Sequence, residues 1–256
     1  MTMQEPIRTS LPPERIELAA AYRLIAEFGM DDSIFTHISA KAPASEGDHA
    51  FLINPYGLRF DEVTAGNLVT INLDGEILKD SFGAGINKAG FTIHSAVHAA
   101  RPDVACVLHT HTVAGVAVAS MKEGLLPLNQ WSAPFFNRLA FHDYEGIALN
   151  HAERDRIVAD LGTRNAMILR NHGLLTCGRT VGEAFRTMMD LERACRAQVA
   201  IMGSGGTPNV LGDDLAEHVA QQEEGWAEQH DAKGKPDAEW AAYLRLCKAR
   251  HPDFDQ

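Results

Sequence analysis

Apolar residues recur at helical spacing near the start of the chain. In ERIELAAAYRLIAEFGM, residues 14–30, they follow a Pro-Pro pair that suits a helix start, and the pattern ends at Gly29, a residue typical of a helix C-terminus. Residues 34–78 then change to short apolar pieces, FTHISAK, AFLINP and NLVTINLDGEIL, separated by Gly, Pro and Asp-Gly. These patterns predict one long helix followed by strands and hairpins.

Helices and strands alternate along the rest of the chain. The pattern predicts a helix in AGFTIHSAVHAARPD, a strand in VACVLHTH and a helix in TVAGVAVASMKEG. It then predicts a helix in AERDRIVADLG, a strand in NAMILRNHG and a long amphipathic helix in TVGEAFRTMMDLERACRAQVAIMGSG. After a linker at residues 203–213, helices near 214–228 and 237–250 carry Trp226 and Trp240, which we expect to be exposed. We interpret these two helices as an arm that packs on the domain or on a neighbouring subunit.

Composition narrows the class of protein. The 256 residues fit one domain, with 45% hydrophobic and 22% charged residues, and no apolar run reaches the roughly 18 to 20 residues that span a bilayer. The N-terminal sequence lacks the apolar segment of a signal peptide, and the four cysteines are scattered without a C-x-x-C pair. We therefore expect a cytoplasmic protein with cysteines in its core. The net charge of −11, without a Lys/Arg cluster, argues against a nucleic-acid partner.

Two histidines flank one threonine in VLHTHTVAG, directly after an apolar run. Alternate side chains of a strand point the same way, so His109 and His111 are close enough to bind one divalent ion. The alternative is a polar strand end, and H-x-H alone does not decide between them. His172 in LRNHGLL is the best third ligand, again after an apolar run and before a glycine that we expect to turn the backbone away. Three imidazoles leave one or two coordination positions open, as in catalytic metal sites.

The order of the motifs resembles the class II aldolase/adducin head-domain family over roughly residues 12–204. Five blocks carry the resemblance: the first helix with FGMDDSIFTHISAK; INPYGLRFDEVTAGNLVTINLDG; INKAGFTIHSAVHAARPDVACVLHTH; LNQWSAPFFNRLAFHDYEG; and LRNHGLLTCGRTVGEAFRTMMDLERACRAQ. The resemblance implies a single three-layer α/β/α domain with a largely antiparallel central sheet. It also implies homotetramers with active sites at subunit boundaries, and it places the metal ligands on His109, His111 and His172. We expect residues 1–11 to be a flexible tail and residues 205–256 to form the helical arm.

The chain departs from the sugar-phosphate aldolases of this family at several functional positions. Their Ser-Ser-Glu, which carries the proton-transfer glutamate, corresponds here to Lys88, Ala89 and Gly90. A tyrosine that donates a proton corresponds to Trp131, next to Gln130, and the phosphate-binding residues are replaced at Lys88 and at residues 36–37. We therefore expect a substrate other than a ketose phosphate, and Trp131 with residues 135–136 favours a bulky or aromatic one if these residues line the site.

The remaining candidate residues follow from these motifs. The candidates for proton transfer are His94, His37 and Tyr144, of which His94 could instead be a fourth ligand or an ordinary helical histidine. The expected substrate-binding residues are Lys88, Asn87, Tyr56, Gly57, Trp131 and Gln130. Lys88 is a candidate partner for a substrate carboxylate or phosphate, with a solvated lysine as the alternative.

The leading hypothesis is a metal-dependent lyase that cleaves or decarboxylates a small oxygenated carboxylic acid or carbonyl compound through a metal-stabilised enolate. Decarboxylation needs no base to remove a substrate proton as the bond breaks, so the missing glutamate matters less for it. Zn²⁺ is the expected metal, with Mn²⁺, Co²⁺ and Fe²⁺ as alternatives. The competing hypotheses are an Fe²⁺-dependent oxidative decarboxylase on the same histidines, a carbonyl epimerase, and a non-catalytic adducin-like interaction module.

Overall fold

The computed structural model describes residues 11–146, 151–231 and 237–256. Seven helices lie within these ranges: α1 (Pro13–Glu27), α2 (Lys88–Ala100), α3 (Val113–Ala119), α4 (His151–Leu161), α5 (Val181–Gly203), α6 (Asp213–Asp231) and α7 (Ala238–Arg250). The same ranges contain eight strands: β1 (His37–Lys41), β2 (Phe51–Ile53), β3 (Val69–Ile71), β4 (Ile77–Lys79), β5 (Cys106–Thr110), β6 (Leu139–His142), β7 (Ala166–Leu169) and β8 (Gly173–Gly178). Short 3₁₀ helices occupy Ala44–Glu46, Phe60–Glu62 and Ala133–Phe135.

The eight strands form one mixed sheet in the order β4-β3-β2-β1-β5-β8-β7-β6. All neighbouring pairs run antiparallel except β6 and β7, which are parallel. The central strands β1, β5 and β8 pair in register, with His37 opposite His109 and Thr110 opposite Leu174. This pairing brings the start of β1, the end of β5 and the start of β8 together, at the edge of the sheet that is formed by strand ends.

Helices cover both faces of the sheet. On one face, α1, α3, α5 and α7 enclose a large apolar cluster that includes Leu18, Ile38, Leu108 and Phe185. On the other face, α2 and α4 cover a smaller cluster that includes Val107 and Leu175. The three-layer α/β/α architecture with a largely antiparallel sheet, expected from the family resemblance, is confirmed.

Strand β1 shows how the alternation of side chains places polar groups on one face. Ile38 and Ala40 join the large apolar cluster, whereas His37 and Ser39 point to the opposite face, toward α2. His109 on β5 lies on that same face, since it stacks against His37. Period-two alternation therefore collects polar side chains under α2 at the edge where the three central strands meet.

Most predicted elements are confirmed, and two strands were missed. The pieces between residues 34 and 78 form β1 to β4, and VACVLHTH and NAMILRNHG contain β5 and β7. The sequence analysis did not identify β6, which is only four residues long, or β8, whose first residue, Gly173, was interpreted as a turn residue. The division of the chain at residue 204 stays a prediction, and the proposed tail at 1–11 lies outside the described residues except for Leu11.

The two helices of the arm pack differently from each other. Helix α7 packs on α1 and α5, and Trp240 inserts there with 6% of its surface exposed, its ring 5.4 Å from that of Phe185. The expectation that Trp240 is exposed was wrong, because Gly182 leaves room on α5 for this indole. Helix α6 packs near the 3₁₀ helix Ala133–Phe135 and leaves Trp226 half exposed.

A buried arginine ties α1 to the sheet on the face opposite α2. Arg15 is 1% exposed and uses all five of its N–H donors: its hydrogen bonds go to both carboxylate oxygens of Glu46, to the carbonyls of Ala65 and Leu68, and to the hydroxyl of Thr70. Burial of Glu46 opposes its ionisation, but the hydrogen bonds from Arg15 and Thr70 outweigh burial and lower its pKa to about 2.

Two further expectations concern cysteines and membranes. All four cysteines are buried and free, as expected for small core residues. Among the helices in the described ranges, none is long and apolar enough to cross a membrane.

Candidate metal centre

Three histidines converge at the edge where the central strands end. His109 is on β5, His111 directly follows that strand, and His172 lies in the tight turn between β7 and β8. One nitrogen from each ring lies within 4.8 Å of the others, and the ring centroids are 4.6 to 4.8 Å apart. The antiparallel pairing of β5 with β8 brings His172 to the H-x-H pair despite a separation of about sixty residues in sequence.

The turn that presents His172 differs from the expected one. Gly173 was expected to let the backbone turn away, but the left-handed residue of this turn is Asn171, at φ 56°. Gly173 instead begins β8 against β5, where a Cβ atom would lie 2.3 Å from the carbonyl oxygen of Thr110. The glycine therefore permits a close approach of two strands, and this approach keeps His172 beside His109.

Hydrogen bonds on the outer side of two rings fix the direction of their nitrogens. His109 Nδ1 lies 2.9 Å from the carbonyl oxygen of Leu174, and His111 Nδ1 lies 2.9 Å from a carboxylate oxygen of Asp32. A carbonyl only accepts, so His109 donates from Nδ1, and the carboxylate favours the same tautomer in His111. Both Nε2 atoms then carry lone pairs that face the centre of the cluster.

The donor set fits a divalent metal. The Nε2 atoms of His109 and His111 are 2.8 Å apart, and two lone pairs at that distance repel unless a cation lies between them. Burial, followed by the neighbouring His172, His111 and His37, holds the pKa of His109 well below its usual range. Burial, then His111 and His142, lowers the pKa of His172 to about 4. At neutral pH these rings are uncharged, which is the form that binds a metal.

The histidines lie in a cleft of about 320 Å³ that combines a polar end with an apolar wall. Phe35 and Ile93 supply the wall, and Tyr144 stands at the rim with its ring 6.2 Å from that of His172. Among the described residues, the cleft is lined by Asp32, Phe35, His37, Asn87, Gly90, Ile93, His109, His111, Tyr144, Gly146 and His172. A cleft of this kind suits a small molecule with oxygen atoms at one end and an apolar body.

His37 lies deep in this cleft. Its ring stacks on His109, with centroids 6.2 Å apart and planes inclined by 22°, and it is 4% exposed. Neither ring nitrogen has a hydrogen-bond partner among the described residues. Burial, then the nearby His94, His111 and His172, holds its pKa well below the usual range. Gly90 makes room for this ring, since a Cβ atom there would lie 2.3 Å from His37 Cε1.

The other expected site residues divide into two groups. His37, Asn87 and Tyr144 line the cleft with the three histidines. Lys88 begins α2 beside it, although its side chain lies outside the described part of the chain. His94 is 2% exposed and lies behind His37, with its ring centroid 5.5 Å away, bonded to Ser39.

The second group lies elsewhere within this chain. Trp131 and Gln130 line a separate cavity of about 360 Å³ together with Arg186 and Glu223, and Trp131 is half exposed. Tyr56 is 45% exposed, and its backbone N–H bonds to the carbonyl of Gly85, in the loop before α2. Gly57 adopts φ 90° next to it. The structure thus brings neither Trp131 nor Gln130 to the histidines of the same chain.

Sequence reasoning missed the residues that complete the cleft. Asp32 orients His111 from 79 positions away, and Phe35 and Ile93 form the apolar wall. Asp32 and Phe35 stand inside the block FGMDDSIFTHISAK, but no spacing rule connects them with H-x-H. The available signal was general: a metal-binding histidine usually has a carboxylate or carbonyl on its outer nitrogen.

Comparison with known proteins agrees with this geometry. Residues 16–199 match the model of the family described as Class II Aldolase and Adducin N-terminal domain. The crystal structure of an aldolase II superfamily protein from Pseudomonas syringae is 44% identical, covers 98% of this chain and 99% of its own, and superposes with a TM-score of 0.87. The match to that protein includes both helices of the arm.

Two other relatives differ in what their names describe. An L-fuculose 1-phosphate aldolase from Glaciozyma antarctica PI12 is 27% identical, covers 95% of this chain and 92% of its own, and has a TM-score of 0.79. Alpha-adducin of Rattus norvegicus is 46% identical over 199 residues, which are 77% of this chain but 27% of the adducin. The chain is therefore similar in sequence both to an aldolase and to one part of a longer protein.

Proposed function

Because the chain belongs to the class II aldolase and adducin N-terminal domain family, we propose that it is a metal-dependent carbon–carbon lyase. Its substrate is a small oxygenated carboxylic acid or carbonyl compound, and the reaction is an aldol-type cleavage or a decarboxylation. The observation that carries this proposal is the convergence of three imidazoles, two of which have outer hydrogen bonds that leave Nε2 free, at the polar end of a cleft.

His109, His111 and His172 would hold the divalent ion. Three nitrogen ligands suit Zn²⁺ best, with Mn²⁺, Co²⁺ and Fe²⁺ as alternatives. When bound, such an ion supplies a Lewis acid that stabilises the negative charge developing on a carbonyl oxygen as the adjacent C–C bond breaks.

The other residues of the cleft orient the substrate and exclude water. Phe35 and Ile93 cover the apolar body of the substrate, while Asn87 at the start of α2 offers hydrogen bonds to its oxygens. His37 and Tyr144 are the proposed proton-transfer groups, since both line the cleft. Tyr144 stands at the exposed rim, so we assign it the proton that returns to the product carbon.

We propose a cytoplasmic homotetramer with active sites at subunit boundaries. The position of Trp131 and Gln130 supports this arrangement, because a half-exposed indole in a separate cavity is available to a neighbouring chain. In a tetramer these two residues would reach the cleft of the neighbour. Light scattering after gel filtration measures the mass, and a monomeric mass of 27.9 kDa would contradict the assembly.

The first experiment is elemental analysis of the protein purified without added metal. We expect about one ion per chain, and we expect the double variant His109→Ala/His172→Ala to contain almost none. His218→Ala is the matched control, because His218 is exposed on α6 and should leave the metal content unchanged. Metal that persists in the double variant would contradict the assigned ligands.

A substrate screen with the metal-loaded protein then separates the two enzymatic hypotheses. We expect turnover of an oxygenated acid or carbonyl compound without dioxygen if the protein is a lyase. Turnover that requires both Fe²⁺ and dioxygen would favour the oxidative decarboxylase instead.

The similarity to alpha-adducin supports a second candidate, a non-catalytic interaction module. The same elemental analysis tests it. Absence of metal, even after reconstitution, would favour the module, and His109→Ala would then leave partner binding intact.

A further inference from the structure

A second group of polar side chains lies behind the metal cleft, between β1 and α2. The hydroxyl of Ser39 lies 2.6 Å from His94 Nδ1 and 2.8 Å from His98 Nε2. The two histidines are one turn apart on α2, and all three side chains are at most 6% exposed. None of the three lines the cleft, so the proposed function does not use them directly.

Counting hydrogens restricts this group to two arrangements. A serine hydroxyl has one hydrogen, so Ser39 donates to one imidazole and accepts from the other. Burial, followed by the neighbouring His98 for His94 and by Lys41 for His98, lowers the pKa of each ring to about 3, so both rings are neutral at pH 7. The facing nitrogens therefore carry a proton in one ring and a lone pair in the other.

The ring nitrogen of His98 that does not face Ser39 is Nδ1, and it has no hydrogen-bond partner among the described residues. The main chain of Val104 raises the pKa of His98, against burial and Lys41, which favours the arrangement with the proton on Nδ1. A proton on His98 Nδ1 leaves a lone pair on Nε2, which accepts the hydroxyl hydrogen of Ser39. The oxygen of Ser39 then accepts from His94 Nδ1, and His94 Nε2 carries a lone pair.

His37 is the ring next to that lone pair. The rings of His94 and His37 are perpendicular, with centroids 5.5 Å apart, and His94 Nε2 and both nitrogens of His37 lack partners within the described ranges. Buried nitrogens without partners are unfavourable, which favours a hydrogen bond between these two rings. If His37 donates one N–H to His94, its other nitrogen presents a lone pair to the cleft.

We propose that His98, Ser39 and His94 form a hydrogen-bonded chain that sets the tautomer of His37, so that His37 accepts a hydrogen bond from a hydroxyl group of the bound substrate. His94 and His98 are positioning residues in this arrangement. The inference rests on the proposed function for the presence of a substrate, and it narrows the substrate to a hydroxy acid or a hydroxy carbonyl compound. An acceptor at this place suits aldol-type cleavage, in which the substrate hydroxyl loses its proton while the C–C bond breaks.

Nitrogen NMR of the histidine rings in the zinc-loaded full chain tests the tautomers directly. We expect the proton on Nδ1 of both His94 and His98, with resonances assigned from the variants His94→Gln and His98→Gln. A proton on His94 Nε2 would overturn the inference and leave the metal site untouched. If zinc does not bind, the proposed function fails, but the NMR experiment on the metal-free chain still decides the tautomers.

A matched pair of variants tests the role of the hydroxyl. Ser39→Thr and Ser39→Val have the same shape, and only the first retains the hydroxyl. We expect Ser39→Val to allow mixed tautomers of His94 and His37, and Ser39→Thr to retain one. Ser95→Ala is the control, because the Ser95 hydroxyl is buried and, within the described part of the chain, bonds to a carbonyl of its own helix. If neither bulky variant folds, Ser39→Ala replaces Ser39→Val as the variant without a hydroxyl. Its spectrum is then compared with that of the native chain, and mixed tautomers are again expected only in the variant.

Ligand binding supplies the second measurement. With zinc bound, we expect 3-hydroxypropionate to bind more tightly than propionate, because only the former offers a hydroxyl to His37. The preference should fall about fivefold in Ser39→Val and persist in Ser39→Thr, as expected for one hydrogen bond. Equal preferences in the native chain and Ser39→Val would contradict the proposal.

Discussion

Two buried polar clusters of this protein differ in how completely their hydrogen bonds are satisfied. Around Arg15, every N–H of the guanidinium has an acceptor, and the hydroxyl of Thr70 links it to Glu46. On the opposite face of the sheet, both nitrogens of His37 and one nitrogen of His94 lack partners among the described residues. The first cluster is closed and holds the fold, whereas the second is open toward a cleft and suits a ligand.

The largest expected effect comes from opening the closed cluster. Arg15→Met should lower the free energy of unfolding by about 3 to 5 kcal/mol, because Glu46 loses its buried partner. Urea denaturation measures this change. Arg250→Ala, which removes an exposed contact 3.8 Å from Glu27, should change stability by less than about 1 kcal/mol. Equal effects of the two variants would remove the distinction between a buried and an exposed pair.

The next effect is that lowering the pH should reduce the stability contributed by the histidine cluster before that contributed by the Arg15 cluster. The pKa of His94 and His98 is lowered to about 3, so in the metal-free protein the unfolded chain binds more protons as the pH falls below about 6.5, and stability decreases. Each histidine contributes at most about 1.4 kcal/mol per pH unit. The pKa of Glu46, at about 2, makes its contribution constant down to about pH 4.5 and lost only below that.

The variant His98→Gln tests this assignment. Denaturation between pH 6.5 and 5.0 should show a shallower loss of stability than in the native chain, by about one bound proton. A Glu46→Gln variant should keep the native slope over the same interval. An unchanged slope in His98→Gln would mean that this ring does not stay neutral in the folded protein.

Removing the residue that orients a metal ligand should have a smaller effect, which is on the affinity for zinc. Asp32→Ala removes the acceptor on His111 Nδ1 and should weaken zinc binding about 10- to 100-fold, because the ring loses its fixed tautomer. Competition with a chromogenic chelator measures the affinity. Asp31→Ala serves as the neighbouring control, and an equal loss in both variants would point to charge alone.

Two threonines provide the most direct comparison. Thr70 and Thr36 are both fully buried, but only the first has hydrogen-bond partners among the residues that the structure describes. Thr70→Val should destabilise the protein by about 1 to 3 kcal/mol, whereas Thr36→Val should be neutral or slightly stabilising. Thermal denaturation of both variants gives the answer. A large loss in Thr36→Val would show that this hydroxyl is satisfied in solution.

Much of the site was predictable because its residues carry local signals. The H-x-H pair follows an apolar strand, and His172 follows another, so strand ends already suggested that His109, His111 and His172 could meet. His37, Asn87 and Tyr144 came from the family resemblance and line the cleft. Trp131 and Gln130 came from the same resemblance but lie in another cavity of this chain. A sequence match identifies a position, and it does not say which subunit's site that position serves.

Some residues had no local signal at all. Asp32 bonds to His111 from 79 positions away, and Ser39 joins two histidines of α2 that are 55 and 59 positions away. The strand that contains Gly173 was missed, because its glycine was interpreted as a turn residue rather than as a point of close strand approach. Trp240 looked exposed in sequence and is buried against α5.

The sequence by itself determined the alternation of strands and helices, the family and the three histidines at strand ends, because these depend on periodicity and on short motifs. The tertiary structure decided which polar groups are satisfied and which are open, because that depends on partners brought together by strand pairing. Alternation placed His37 and Ser39 on one side of β1, but only the packing of α2 set His94 and His98 against them. The difference between a closed polar cluster and an open one is a property of distances between remote residues, which periodicity does not encode.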